Sequence, residues 1–247
     1  FTEGVHMSKT LTIRYTSDTH GYLYPTSYAD MQDRPMGLMK LASEYPHDGN
    51  TLIIDGGDTI QGSPLTNLYQ RLSPEEKASC LTSDAYGTHP IAAMMNLAGY
   101  QFVTLGNHEF DYGFPQLKAN LSNAAADFLV TCVNLVDDKG DPIFAPGATA
   151  PVTDADGNTL FNLTVMGVAT PETQTKANPA LMKGLTFLSG QKLYDAANAK
   201  IKVAREEGNA DIVIALTHLG VDASSEPNRS IDFVKNVPGV DIVIDGH

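Results

Sequence analysis

Seven short runs of β-branched and apolar residues recur along this chain of 247 residues, and segments of different character separate them. The runs are residues 11–16, 51–54, 101–105, 128–134, 160–168, 211–216 and 241–244. Continuous apolar runs of this length are typical of strands that are buried on both faces of a sheet. Three of the intervening segments carry apolar residues at helical spacing, around residues 38–45, 91–98 and 193–204. Strands that alternate with helices predict an α/β fold.

Two further patterns refine this fold prediction. Pro90 lies near the start of the second helical segment and Gly99 just beyond its end, where proline and glycine are enriched. Residues 137–156 are rich in Gly, Pro and Asp, so we expect turns and a hairpin within one domain rather than a linker. Residues 153–158 resemble a calcium-binding loop only in part, because Gly157 stands at the fourth position instead of the sixth. A hairpin turn is therefore the favoured interpretation of this stretch.

Polar side chains, all from Asp, Asn or His, follow five of the predicted strands. They are Asp18 and His20, then Asp58, then Asn107, His108 and Asp111, then His218, and finally His247. The carboxyl ends of the strands are where open α/β sheets bind their ligands. Four of the seven histidines lie at these positions, whereas His47 and His89 lie elsewhere and are interpreted as structural.

The residue types indicate a divalent metal site. Imidazole, carboxylate and amide ligands without thiolate fit Mn, Fe, Zn, Co or Mg better than a soft metal. Asp18 and His20 are two residues apart, so in an extended segment both side chains would point to the same side. Gly106 and Gly246 directly precede Asn107 and His247, which suggests that the backbone must approach the site closely there.

Composition narrows the classes of partner. A formal net charge of −13 argues against binding to nucleic-acid polymers, which requires an excess of Lys and Arg. A small phosphorylated substrate remains compatible with an acidic chain, because bound cations reverse the local field. No apolar run approaches the roughly 20 residues of a membrane-spanning helix.

The two cysteines and the first residues say little about function. Cys80 and Cys132 are too few for a disulfide scaffold or a thiolate zinc site, and Cys132 lies in an apolar run typical of a buried position. The sequence leaves open whether a disulfide bond joins the two cysteines. Residues 1–7 lack the basic and apolar segments of a signal peptide, and we interpret them as a remnant of expression cloning. The predicted domain therefore covers residues 8–247.

The strand-end motifs resemble, in order and spacing, those of the calcineurin-like metallophosphoesterases. The shared motifs are Asp18-x-His20, Gly57-Asp58-x-x-Gln61, Gly106-Asn107-His108-Glu109, Thr217-His218 and Gly246-His247. The longer stretches 57–64 and 104–113 resemble the branch that contains bacterial 5′-nucleotidases and 2′,3′-cyclic-nucleotide phosphodiesterases. Residues 170–179 are closer to the 5′-nucleotidases. The resemblance extends from about residue 11 to residue 247.

The resemblance implies a fold, a set of ligands and a reaction. The fold would be a sandwich of two sheets flanked by helices, with the site at the carboxyl ends of the strands. The implied cofactors are two divalent metal ions. Asp18 and His20 would hold the first ion, Asp58 would bridge both, and the second would be completed by Asn107, His218 and His247. His108 and Asp111 would form the catalytic pair.

The pattern of this family continues beyond His247. It implies a further ligand two positions after the Gly246-His247 pair, and a C-terminal domain that grips base and phosphate. We therefore expect residues 8–247 to form the metal-binding domain without that partner domain, to bind the second ion better than the first, and to be a weak catalyst alone. The family also implies export to the periplasm, the cell surface or the medium.

Three functions fit these observations. The leading hypothesis is hydrolysis of nucleotide phosphomonoesters, a 5′-nucleotidase activity, by a metal-activated water. The second is a 2′,3′-cyclic-nucleotide phosphodiesterase/3′-nucleotidase or a related ester hydrolase on the same site. The third is a non-catalytic binding module whose site is vestigial.

Overall fold

The computed structural model describes residues 10–46, 48–80, 89–121 and 127–247, without the side chains of residues 78 and 80. Within them lie ten strands: β1 Thr12–Thr16, β2 Thr51–Asp55, β3 Phe102–Val103, β4 Leu129–Val130, β5 Leu135–Asp137, β6 Gly147–Thr153, β7 Thr159–Ala169, β8 Leu185–Phe187, β9 Ile212–His218 and β10 Ile242–Asp245. The α-helices are α1 Leu38–Ala42, α2 Pro64–Arg71, α3 Pro74–Cys80, α4 Pro90–Ala98, α5 Phe114–Leu121, α6 Thr173–Lys176, α7 Gln191–Glu206 and α8 Ser230–Asn236. Short 3₁₀ turns lie at His108–Phe110, Pro179–Leu181 and Ala223–Ser225.

The strands form two four-stranded sheets and one small ribbon. The first sheet has the order β1-β2-β3-β4, and all its strands run parallel. The second has the order β10-β9-β7-β6, in which only the pair β6 and β7 is antiparallel. β5 and β8 make a separate antiparallel pair. The α/β class predicted from the sequence is confirmed.

The alternation of side chains along the strands builds a core in layers. In β2, Leu52 and Ile54 belong to the apolar cluster shared with β7 and β9 of the other sheet, whereas Ile53 belongs to the cluster with α4 and α5. In β9, Ile214 faces the first sheet and Val213 packs with α7. Successive residues of a strand point to opposite faces, so each sheet has one face against the other sheet and one against helices. The two-sheet sandwich flanked by helices is therefore confirmed.

The helix ends predicted from the sequence agree with the structure to different degrees. α4 starts at Pro90 and ends before Gly99, which adopts the left-handed conformation (φ 76°) expected of a residue that terminates a helix. α7 buries one apolar stripe, as its spacing predicts. α1 ends at Ala42, so Tyr45 lies beyond it and still packs against the core. No expectation from the sequence covered α2, α3, α5, α6 or α8.

The segment 137–156 contains strand as well as turn. β6 fills most of its second half and pairs with β7, and the carboxylate of Asp154 accepts N–H hydrogen bonds from Asp156 (3.0 Å) and Asn158 (2.8 Å). The expected hairpin is confirmed, and its turn is closed by an aspartate that caps its own loop.

Several smaller expectations concern single residues and the chain's first segment. Cys132 is a free thiol, and burial raises its pKa to about 11. The Cys80 side chain, His47 and the first nine residues lie outside the described part of the chain. Among the described helices, none is long and apolar enough to cross a bilayer. His89 is fully buried and its Nδ1 accepts the Ile91 N–H at the start of α4, which agrees with a structural role.

Candidate metal centre

The loops that follow β1, β2, β3, β9 and β10 meet at one edge of the sandwich. Backbone hydrogen bonds tie the β1 loop to the β2 loop (residues 56–63): the N–H of Asp18 donates to Gly57 O and that of His20 to Asp58 O, both at 2.9 Å. In the second sheet, β9 and β10 are joined at their carboxyl ends by a hydrogen bond from Gly246 N–H to Thr217 O at 3.1 Å. The backbone that carries Asp18, His20 and Asp58 is thus held together within the first sheet, and the ends of β9 and β10, which lead to His218 and His247, are held together within the second.

Two groups of side chains have ligand atoms close enough to hold a cation. In the first, the ligand atoms of Asp18, His20 and Asp58 lie within 4.8 Å of one another. In the second, the same is true of Asp58, His218 and His247. Asp58 belongs to both groups and is buried, with 2% of its surface exposed. The geometry thus brings together five of the six predicted ligands, with one carboxylate between two candidate sites.

The orientation of His218 is set by its backbone partner. Its Nδ1 lies 2.7 Å from the carbonyl oxygen of Gly56, so Nδ1 must carry the hydrogen and Nε2 is the free ligand atom. Nε2 is buried 3.1 Å from Asp58 Oδ2 and 3.8 Å from Asp18 Oδ1, and it makes no hydrogen bond within the part of the chain that the structure describes. Metal-binding histidines are typically fixed in this manner by a carbonyl on the other ring nitrogen.

His218 and Asp58 carry opposite charges that support each other at the centre of the site. Burial opposes a charged imidazole, but contact with Asp58 and its negative charge outweigh burial and raise the pKa of His218 to about 9. Burial likewise opposes ionisation of Asp58, yet His218 and the N–H of His108 hold its pKa below the usual value. The arrangement therefore favours a positive charge beside these carboxylates.

Asn107, the sixth predicted ligand, provides a second test of whether a cation fits. Its Oδ1 is buried and has no hydrogen-bond partner among the described residues, as is true of His218 Nε2. Buried polar atoms without partners are uncommon in folded proteins. Two such atoms beside clustered carboxylates fit a divalent cation that would accept their lone pairs, and the donor set of oxygen and imidazole nitrogen suits such an ion.

The backbone of the site is not extended, so the expectation that Asp18 and His20 lie on an extended segment is wrong. Asp18, His20 and Asp58 have φ values of 53°, 47° and 54°, in the left-handed region that residues with a Cβ rarely adopt. Asp18 and His20 converge because of this turn rather than because they alternate along a strand. Each such residue costs about 1–2 kcal/mol, and strained backbone of this kind concentrates at functional sites.

The predicted need for glycine is confirmed at two positions, although its cause differs. A Cβ on Gly106 would lie 2.2 Å from Asp58 Oδ1, and one on Gly246 would lie 2.0 Å from Ser17 Oγ and 2.9 Å from Asp18 Oδ2. Both glycines therefore make room for the carboxylates of the site.

His108 and Asp111 form the predicted contact at the border of this cluster. His108 Nδ1 lies 2.9 Å from Asp111 Oδ2, and 43% of the His108 side chain is exposed. Burial lowers the pKa of His108, but the hydrogen bond to Asp111 and the charge of Asp58 outweigh this effect and raise it above its ordinary value. The ring also packs edge-on against His20, with centroids 5.4 Å apart. The pair is thus accessible and adjacent to the first ligand group.

Three acidic residues at the site had no role assigned from the sequence. Asp245 accepts hydrogen bonds from Thr217 Oγ1 (2.6 Å) and the Leu219 N–H (2.9 Å), and so holds the end of β9. Glu172 Oε2 lies 3.8 Å from His247 Nε2. Glu109 is buried beneath Asp58. Asp245 and Glu109 lie next to predicted ligands at the ends of strands, and this position could have indicated them from the sequence. Glu172 is distant from these motifs in the sequence and comes close to the site only in the folded chain.

A two-sheet α/β sandwich with carboxylates and histidines clustered at its strand ends defines a class of metal-dependent hydrolases. The profile of one family in that class, described as calcineurin-like phosphoesterase, matches residues 11–247. The chain belongs to this family, whose members use divalent metals.

Individual relatives agree with this assignment. The trifunctional nucleotide phosphoesterase YfkN of Bacillus subtilis is 30% identical over 96% of the chain, and its solved structure superimposes with a TM-score of 0.79 at 28% identity, covering 96% of this chain and 71% of that one. A 2′,3′-cyclic-nucleotide 2′-phosphodiesterase/3′-nucleotidase of Yersinia enterocolitica is 30% identical over 96% of the chain, and a 5′-nucleotidase of Vibrio cholerae is 25% identical over 96%. The chain spans only 16%, 36% and 40% of these three proteins, respectively.

Proposed function

We propose that the protein hydrolyses nucleotide phosphoesters with two divalent cations bound on either side of Asp58. The observation that carries the proposal is the presence of this one buried carboxylate in both groups of candidate ligands. Asp18 and His20 would complete the first group. When bound, two such cations supply Lewis acidity toward an attacking water and positive charge toward the phosphate oxygens.

The second cation would be held by Asn107, His218 and His247 together with Asp58. The two buried atoms without partners, Asn107 Oδ1 and His218 Nε2, support this assignment. His247 joins His218 and Asp58 in the second candidate group. The metal itself is left open among Mn, Zn, Co, Fe and Mg, since all of them accept these donor types.

His108 is the proposed catalytic residue, positioned by Asp111. Its Nδ1 hydrogen-bonds to the Asp111 carboxylate, which leaves Nε2 available to a substrate oxygen. The carboxylate also raises the pKa of the ring, which favours a positive charge where negative charge would develop on the phosphate or on the leaving oxygen. A charged donor of this kind contributes roughly 10²–10⁴-fold to the rate.

The substrate proposal has two candidates. The resemblance of residues 170–179 to 5′-nucleotidases favours 5′-nucleotide monoesters such as AMP. The identity of 30% to a 2′,3′-cyclic-nucleotide phosphodiesterase, against 25% to a 5′-nucleotidase, favours cyclic nucleotides. Assays with AMP, 2′,3′-cyclic AMP and bis-p-nitrophenyl phosphate in added Mn²⁺ separate the two candidates. A 5′-nucleotidase should prefer AMP, whereas a cyclic-nucleotide phosphodiesterase should prefer the two diesters.

The decisive variant for catalysis is His108→Ala. We expect loss of at least about 100-fold in rate with metal content unchanged, because the ring is not a proposed ligand. A wild-type chain that binds Mn²⁺ but hydrolyses none of these esters, even when extended through a following domain, would favour the third hypothesis, a binding module with a vestigial site.

The greater length of the relatives bears on partners and location. We propose that residues 8–247 act as the metal-binding domain of a longer protein whose further domain contacts the nucleotide, as the limited coverage of the relatives suggests. Export from the cytoplasm is proposed on the family resemblance. Activity measured with and without the following domain tests the first proposal, and cell fractionation tests the second.

A further inference from the structure

A fully buried carboxylate joins two loops of the site without reaching the solvent. Glu109 is 2% exposed, and its two oxygens accept four backbone N–H groups. Oε2 accepts those of Asp58 (2.7 Å) and Gly106 (2.6 Å), and Oε1 accepts those of Thr59 (2.7 Å) and Ile60 (3.2 Å). Three of these donors belong to the β2 loop, and one belongs to the β3 loop (residues 104–113), which also carries Glu109 itself.

The three successive donors of the β2 loop converge because of the local backbone. Gly57 (φ 90°) and Asp58 (φ 54°) are both left-handed, which turns the N–H groups of Asp58, Thr59 and Ile60 toward one point. Concavities lined by successive N–H groups bind anions. Hydrogen bonds from N–H groups to a charged carboxylate are stronger than those to a neutral acceptor. Glu109 therefore stabilises the unusual conformation that Asp58 must adopt.

The contact between the two loops is reciprocal. While Glu109 of the β3 loop accepts the Asp58 N–H, the carboxylate of Asp58 accepts the N–H of His108 through Oδ1 at 2.7 Å. This second bond occupies Oδ1 and turns the other oxygen, Oδ2, toward His218 Nε2 at 3.1 Å. Each loop thus fixes a residue of the other, and the direction of the Asp58 carboxylate follows from both bonds.

We propose that Glu109 is a positioning residue that sets the Asp58 carboxylate for metal binding. The inference rests on the proposed function, since it assumes that Asp58 is a metal ligand. Glu109 itself cannot touch substrate, because it is buried beneath both loops. Its effect on metal affinity passes through the backbone of Asp58 and through the distance between the β2 and β3 loops.

The substitution Glu109→Gln changes this arrangement with almost no change in shape. Each carboxylate oxygen accepts two N–H groups, so either orientation of the amide sets its NH₂ group against two donors. The matched control is Asp232→Asn. Asp232 on α8 is also a buried carboxylate (7% exposed), and outside the site it accepts hydrogen bonds from Arg229, the residue that precedes α8.

The test measures Mn²⁺ affinity by electron paramagnetic resonance on folded protein, with folding followed by circular dichroism. We expect Glu109→Gln to raise the Mn²⁺ dissociation constant by about 10–100-fold, the usual effect of losing a partner behind the ligands. Asp232→Asn should lower the melting temperature and leave the dissociation constant at the wild-type value. If Glu109→Gln does not fold, Glu109→Asp is measured in its place. The aspartate side chain keeps the charge but is too short to reach both loops, so this variant should also weaken Mn²⁺ binding.

The outcomes separate the two proposals. If folded Glu109→Gln or Glu109→Asp binds Mn²⁺ as the wild type does and only its melting temperature falls, Glu109 serves stability alone and the inference is overturned. If the wild-type chain itself binds no Mn²⁺, the proposed function fails and the inference fails with it.

Discussion

Replacing Gly106 by alanine tests how closely the β2 and β3 loops must approach. The new Cβ would lie 2.2 Å from Asp58 Oδ1 and 2.6 Å from both Cγ and the backbone N of Asp58. Real Cβ contacts are essentially never shorter than 3.0 Å, so the carboxylate must move by at least about 0.8 Å. Rotation of the side chain does not relieve the clash, because the backbone nitrogen is also too close and is hydrogen-bonded to Glu109.

The displacement sets the size of the expected effects. Overpacking of this kind costs about 1–3 kcal/mol of stability, which urea unfolding measures. A misplacement near 1 Å at a reacting site costs on the order of 100-fold in rate. We therefore expect Gly106→Ala, assayed as folded protein in saturating Mn²⁺, to lose about two orders of magnitude in phosphoesterase activity.

Gly167→Ala is the matched control for this substitution. Its Cβ would meet the backbone oxygen of Thr131 at 2.0 Å, a similar clash that involves none of the proposed ligands. It should lose stability while the folded fraction keeps its metal affinity and rate. If Gly106→Ala retains wild-type activity per folded molecule, the close approach of the loops is not what positions Asp58, and the reasoning is refuted.

Two further predictions concern stability away from the metal centre. Burial, with a smaller contribution from Lys77, lowers the pKa of His89 to about 3, against 6.5 when unfolded. Below pH 6.5 the unfolded chain therefore takes up a proton that the folded one excludes, and stability falls by about 2 kcal/mol on reaching pH 5. His89→Asn keeps an acceptor for the Ile91 N–H. Between pH 7.5 and pH 5 its free energy of unfolding, measured with urea, should fall by about 2 kcal/mol less than that of the wild type. Equal decreases in the two proteins would contradict the lowered pKa of His89. Leu193→Ala opens a cavity between α7 and the second sheet, where Leu193 is fully buried, and should cost about 2–5 kcal/mol. Its metal affinity should stay unchanged, and a loss below 1 kcal/mol would mean that the surrounding core closes around the cavity.

The sequence predicted the parts of the site that depend on single strands and their ends. A buried strand followed directly by Asp, Asn or His is a local pattern, so Asp58, Asn107 and His218 could be placed at one edge before the sheet order was known. The apolar stripe of α7 was equally local, and its periodicity predicted the buried face.

What the sequence could not predict depends on contacts between distant residues. The bonds of Glu109 to the β2 loop join residues about fifty positions apart, and its motif alone does not indicate which N–H groups it accepts. The left-handed turn at Asp18 and His20 is stabilised by carbonyl groups of the β2 loop, so the extended conformation assumed from their spacing was wrong. β6 was obscured by the Gly and Pro within it, which a strand at the edge of a sheet tolerates.

The central claim is that Asp58 lies between two cations, and anomalous scattering from crystals grown in excess Mn²⁺ tests it most directly. Two peaks are predicted, both in contact with the Asp58 carboxylate. One should also contact Asp18 and His20, and the other His218 and His247. A single peak remote from Asp58, or an unchanged pair of peaks in Asp58→Asn, would contradict the account.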